Sequence, residues 1–360
     1  MRVGLRCVLL MLVLTRSAST QEPLVQIGAI ELPGVQGRID HLAVDRDSQR
    51  AFVAALGNNT VEVLDLRTKT HLKSLPGFKA PQGVAVLAPL HLAAVANGEG
   101  DGVRFFGTGE DYRVGPSVRL GEDADNVRYD AKANRMYVGY GNGALASIDP
   151  AAGTVLGQVR LAGHPESFQL EQAGHRVFVN VPDAAHLAVI DRQTMKPIAT
   201  WPVTTAKANF PMALDEAGHR VFVGCRRPAK VLVYDASSGK ETAAFDIVGD
   251  TDDLFFDGGR QRLYVSGGEA SSTCSTPGPT ADSSASHESA PLLAPVRPSS
   301  CRRSAGCSWP CLIAVSRRQK CGSTRRADSP VAGVIAGLRS RHRDPERPAM
   351  SLVSTMQVHR

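Results

Sequence analysis

Short apolar runs alternate with polar punctuation about every ten residues along most of the chain. Val, Ile, Leu and Phe hold every second position in these runs, which is the period of a strand with one face buried. No window keeps the i, i+3, i+4 spacing of an amphipathic helix over ten residues.

The runs recur as a unit. A basic residue, an apolar one, an aromatic and Val appear as Arg135-Met-Tyr-Val138, Arg176-Val-Phe-Val179, Arg220-Val-Phe-Val223 and Arg262-Leu-Tyr-Val265, with arginines 41, 44 and 42 apart. Arg50-Ala-Phe-Val53 is an earlier copy, and His91-Leu-Ala-Ala-Val95 is a degenerate one between. About ten residues before each copy a strand ends on an acid, as in His41-Leu-Ala-Val-Asp45 and Pro211-Met-Ala-Leu-Asp215. About ten residues after, another does so, as in Leu187-Ala-Val-Ile-Asp191 and Val231-Leu-Val-Tyr-Asp235. A polar turn and a fourth strand close the unit. Four strands in a period near 42 predict the blade of an all-β propeller, because one such sheet buries neither face alone. Residues 38–247 are expected to form five four-stranded blades, followed by the first two strands of a sixth.

The tetrapeptides Val-Phe-Val-Asn (177–180), Met-Tyr-Val-Gly (136–139) and Leu-Tyr-Val-Ser (263–266) resemble the repeat of the bacterial YVTN propeller family. The likeness extends over residues 26–269. It implies an exported propeller, usually of seven blades and without a general chemistry, whose N-terminal strand, here 26–32, joins the last blade.

The N-terminus reads as a targeting segment. Arg2 and Arg6 precede the apolar run Cys7–Leu14, and Ser17-Ala-Ser-Thr20 supplies small residues for cleavage. Residues 1–20 are therefore taken as a signal peptide, with a periplasmic or secreted destination. No stretch is long enough for a membrane-spanning helix.

Charge and cysteine divide the chain at about residue 270. The net charge is +6, but residues 271–360 alone carry +8 and the remainder −2. The basic balance gives no ground for nucleic-acid binding by the propeller. Five of the seven cysteines (Cys274, Cys301, Cys307, Cys311, Cys321) lie in the same tail, leaving Cys225 alone in the repeats. Residues 270–360 lose the strand period and are expected to be disordered and out of frame. A single G restored after the Glu269 codon lets Glu269–Ser275 read E-G-F-I-D-V-F, the missing third strand of blade 6. The same shift over residues 290–326 permits the second and third strands of a seventh blade.

The residues that open each first strand fall at equivalent places around the ring. They are Asp40 and His41, Gln82, Asp125 and Asn126, Glu166 and Ser167, Asn209, and Asp252 with Asp253. In a propeller these segments converge on one mouth of the central channel. Asp40, Asp125, Glu166 and Asp252 there would suit Ca²⁺, a hard cation that takes oxygen ligands. Asp125, Glu166 and Asp252 are the metal candidates. Asp and Asn at such places are equally good strand-entry turn residues. His41 and His164 are candidate bases, and Arg226 with Arg227 a candidate anion clasp. Phe210 is a candidate stacking ring. The ligand-binding candidates are thus Asp40, His41, Asn126, Glu166, Asn209, Arg226 and Arg227. No nucleophile elbow, zinc-protease helix, phosphate loop or dinucleotide fingerprint is present. The expected function is non-enzymatic binding of a small molecule or protein by a monomer. The alternative is a metal-dependent lactone hydrolase using Glu166, Asn126, Asn209 and Asp252.

Overall fold

A computed structural model describes residues 27–100 and 102–268, together with the backbones of two short strands, Thr273–Ser275 and Ala314–Ser316. The signal-peptide reading of 1–20 and, apart from those strands, the tail reading of 270–360 lie outside the described residues.

Five consecutive four-stranded antiparallel sheets follow one another along the chain, each in simple up-and-down order. Blade 1 consists of Leu42–Asp45, Arg50–Ala55, Thr60–Asp65 and Thr70–Pro76. Blades 2 to 5 begin with Pro81–Leu87, Val127–Asp130, Phe168–Leu170 and Lys207–Asp215, and blade 5 ends with Glu241–Asp246. Blade 6 has Thr251–Asp257, Arg262–Gly267 and a third strand, Thr273–Ser275. The protein is an all-β propeller.

The recurrent acid at the strand ends now has a physical role. Asp65 accepts backbone N–H bonds from Arg67 (2.8 Å) and Thr68 (2.7 Å), and Asp191 does the same with Gln193 (3.0 Å) and Thr194 (2.8 Å). These Asx turns reverse the chain between the third and fourth strands. The same hydrogen bonds, that from Thr68 foremost, hold the Asp65 carboxyl below its usual range. The arginine of the repeat lies opposite the acid that ends the first strand. Arg220 donates to Asp215 through Nε at 2.9 Å, and Arg176 to Glu171 through Nε at 3.0 Å.

The cores lie between blades. Phe52, Val61 and Val63 of blade 1 pack with Val84, Val95 and Phe106 of blade 2. Ala94 and Phe105 of blade 2 meet Val127, Met136 and Ile148 of blade 3. Tyr137 and Leu145 of blade 3 meet Phe168, Val179 and Ile190 of blade 4, and Trp201 of blade 4 stacks on Tyr234 of blade 5 with centroids 6.3 Å apart. Each blade thus gives one face to its predecessor and the other to its successor.

The two ends differ from expectation. The resemblance has residues 26–32 join a last, seventh blade, which is not among the described sheets. Ala29–Glu31 pairs in parallel with Ala314–Ser316, and Ile30, Leu32, Val35 and Ile39 cover the free face of blade 1 against Leu42, Val53 and Leu64. Blade 6 has three strands where the sequence predicted two, with Leu263 opposite Ser275 and Val265 opposite Thr273. A bare strand edge offers unpaired N–H and C=O groups, and any extended backbone within reach can pair with them whatever its side chains.

Phe222 is fully buried and its ring lies 5.2 Å from that of Phe256 across the interface of blades 5 and 6. Phe222→Ala should cost about 3–5 kcal/mol, the range for a truncated core aromatic, read from the urea midpoint.

Candidate functional site

The first strands of blades 1 to 6 touch in succession, so they line the axis. Backbone bonds stitch their leading ends together: His41 N–H donates to Gln82 O (3.3 Å) and Ser167 N–H to Phe210 O (3.3 Å). Gly83 allows the closest approach. A Cβ at this position would stand 1.9 Å from the Asp125 carbonyl oxygen, so only glycine lets blades 2 and 3 meet here.

This packing brings a chain of alternating charge to one mouth. Arg38 donates to Asp40 at 2.7 Å. The His41 Nε2 atom lies 3.7 Å from oxygens of both Asp40 and Asp125. On the other side of Asp125, His164 Nε2 stands 3.8 Å from Oδ2. His164 Nδ1 donates to Gly141 O at 2.6 Å and lies 3.3 Å from Asp123. Asp125 is wholly buried and flanked by two imidazoles from different blade approaches.

The Gly141 bond places a proton on Nδ1 and, in a neutral ring, leaves the Nε2 lone pair facing a carboxylate. A second proton relieves that repulsion. Burial alone would lower the His164 pKa, but Asp125, Glu166 and the Gly141 carbonyl together raise it from 6.5 to about 8.

The other sequence candidates divide. Asn126 and Glu166 lie at the mouth, both buried. Gln82, Asn209, Asp252 and Asp253 sit inside strands, not in the loops before them, because three first strands start early through register shifts at Pro81/Val84, Asn209/Met212 and Thr251/Asp253. Gln82 donates to Asp123 and to Ala124 O, each at 3.3 Å. Asn209 donates to Asn180 Oδ1 and His186 O, each at 3.1 Å, so its amide braces blade 5 against blade 4. Arg226 is paired with Asp252, donates to Thr251 O at 2.9 Å and lies 4.2 Å over the Phe210 ring. Arg227, its neighbour along the strand, is exposed and faces the other way, so the two arginines form no clasp. Phe210 accordingly stacks on Arg226.

For a cation, the fit is poor. Asp125 lies between two histidines and Asp252 against Arg226, and among the described residues no three His, Cys, Asp or Glu side chains gather as a metal site. Cys225 is buried at the interface of blades 4 and 5, and burial pushes its thiol up to about 12.

Sequence reasoning missed Arg128 and Asp123. Arg128 projects from the first strand of blade 3, where it donates to Val127 O (2.8 Å) and Ser167 Oγ (3.4 Å) above the Phe168 ring (5.4 Å). Burial lowers its pKa from 12.5 to about 10, opposed by Asp253 and Asp125. Its signal was a basic residue at the place held by Ala43, Ala85 and Ala213 in the first strands of blades 1, 2 and 5. A narrow cleft lined by His41, Leu42, Gly83, Val84, Asn126, Val127 and Arg128 opens beside it.

A histidine whose folded pKa exceeds its unfolded value stabilises the fold in its protonated form. That contribution is full below about pH 6.5 and fades as pH rises through about 8. It amounts to about 2 kcal/mol between pH 6 and pH 9. Urea unfolding should show the loss in the wild type, and His164→Asn should flatten it.

No protein-family model matches the chain, and no curated protein sequence matches it. Among solved structures it is similar to a hydrazine synthase of Kuenenia stuttgartiensis, with a TM-score of 0.57 and 13% identity over 65% of this chain and 76% of that one. At that identity the likeness carries architecture alone, and it agrees with the repeated four-stranded sheets in making this chain a β-propeller module.

Proposed function

We propose that the protein is an exported, non-enzymatic binding module of the YVTN kind that takes its ligand at the channel mouth. The observation that carries this reading is the convergence at the mouth of buried and half-buried polar side chains from separate blades, Asp40 and His41 before blade 1, Asp125 and Asn126 before blade 3, and His164 and Glu166 before blade 4. Polar groups held by a rigid scaffold at a channel mouth can bind a ligand across the rim, the recess among them being only about the size of a water molecule. The lactone-hydrolase alternative draws less support. Of its four ligands, Asp252 is paired with Arg226, while Asn209 donates Nδ2 to Asn180 and His186 and keeps only its buried Oδ1 for a cation. We infer also that the coding frame is shifted near residue 270. The loss of the strand period after Glu269, together with the E-G-F-I-D-V-F reading that one added base permits there, supports this.

Saturation-transfer NMR of the full chain with a panel of small polar metabolites tests the mouth. Bound members should lose affinity at least tenfold in both His41→Ala and Asn126→Ala, since each removes a cleft wall. Millimolar Ca²⁺ should leave the Tm unchanged. Binding that survives both substitutions would place the ligand elsewhere, and a Ca²⁺-dependent rise in Tm would favour the hydrolase.

A further inference from the structure

We propose that Asn142 is a site of spontaneous deamidation, at which the side-chain amide is lost through attack by the backbone nitrogen of Gly143 and a carboxylate takes its place on the rim of the mouth. Asn142 lies in the turn that joins the second and third strands of blade 3, Arg135–Tyr140 and Ala144–Asp149. The inference stands whether or not the mouth binds a ligand.

The chain contains two Asn-Gly pairs, Asn97-Gly98 and Asn142-Gly143. A glycine after asparagine has no Cβ to crowd the approach of its nitrogen to the side-chain carbonyl carbon. The reaction further needs a carboxamide that can turn and a glycine N–H that is not engaged. The two pairs differ in both respects. Asn97 is buried, its Oδ1 accepts from Lys79 N–H at 3.1 Å and its Nδ2 donates to Gly102 O at 3.2 Å, so its amide is held at both ends. The Gly98 N–H donates to Ala80 O at 2.8 Å. Asn142 is exposed, and among the described residues neither its carboxamide nor the Gly143 N–H has a hydrogen-bond partner. The turn must also keep its glycine, since a Cβ at position 143 would stand 2.6 Å from Leu161 O and 3.1 Å from Gly163 O. Packing of this turn on the connection to blade 4 therefore fixes the susceptible pair.

The step balances with water alone. The Gly143 nitrogen gives its proton to solvent base and bonds to Asn142 Cγ, the Cγ–Nδ2 bond breaks, and Nδ2 leaves as ammonia. Water then opens the five-membered imide at either carbonyl, giving aspartate or isoaspartate. The rim gains a negative charge beside Gly141, whose carbonyl accepts from His164 Nδ1 at 2.6 Å. Isoaspartate also adds a methylene to the backbone next to Gly143, whose carbonyl accepts from Leu161 N–H at 3.0 Å, so the connection that carries His164 has to adjust.

The test incubates the folded full chain at mildly alkaline pH in water enriched in heavy oxygen, followed by tryptic digestion and mass spectrometry. Peptide Met136–Arg160 should exchange ammonia for one heavy oxygen and split into aspartate and isoaspartate forms. It should do so at least ten times faster than peptide Ala80–Arg104 reacts at Asn97. In urea the two asparagines should react at similar rates, because the hydrogen bonds that spare Asn97 are gone. Asn142→Ser should abolish the change in Met136–Arg160, and the aged wild type, unlike this variant, should elute later from an anion exchanger. Equal rates at Asn97 and Asn142 in the folded chain, or an Asn142 that reacts only in urea, overturns the proposal.

Discussion

The face-to-face packing of neighbouring blades is the constraint on which the rest of this structure depends. A four-stranded sheet of this size leaves two apolar faces, and here each finds its partner in the adjacent repeat rather than within its own. Stability therefore resides in interfaces between consecutive units, as in other repeat folds. Glycine at position 83 and the Trp201–Tyr234 stack show how closely these faces approach.

The same packing makes the channel mouth. Six first strands held side by side carry their leading residues to one end, where acids would repel one another unless matched. Arg38, His41, His164, Arg128 and Arg226 are interleaved among Asp40, Asp123, Asp125 and Asp252. Asp125 in turn helps hold the His164 pKa at about 8, so that a protonated ring faces the buried carboxylate. The mouth is thus a rim of alternating charge around a narrow recess.

Repetition made the fold legible. Arg135, Arg176, Arg220 and Arg262 fix the period, and the acids closing the strands mark the turns. Equivalence between repeats also located the mouth. It failed where local geometry departs from the repeat. A register shift carries Asn209 into its strand and onto Asn180, which no period reveals. Alternation separates Arg226 from Arg227, although adjacency in sequence suggested a clasp. Arg128 was hidden because its position is ordinarily apolar. The pairings of Ala29–Glu31 with Ala314–Ser316 and of Arg262–Gly267 with Thr273–Ser275 rest on backbone groups, on which side-chain pattern is silent.

If blades are held by their neighbours, supplying more of the neighbour at the end of the ring must strengthen the whole. The direct measurement is urea unfolding of the chain as written beside one in which a single base is inserted near codon 270, which on the proposed frameshift would encode a third strand of blade 6 and strands of blade 7. The account predicts that the restored chain is more soluble, unfolds at higher urea and does so in one sharper transition. Equal solubility and an unchanged midpoint and slope would contradict it.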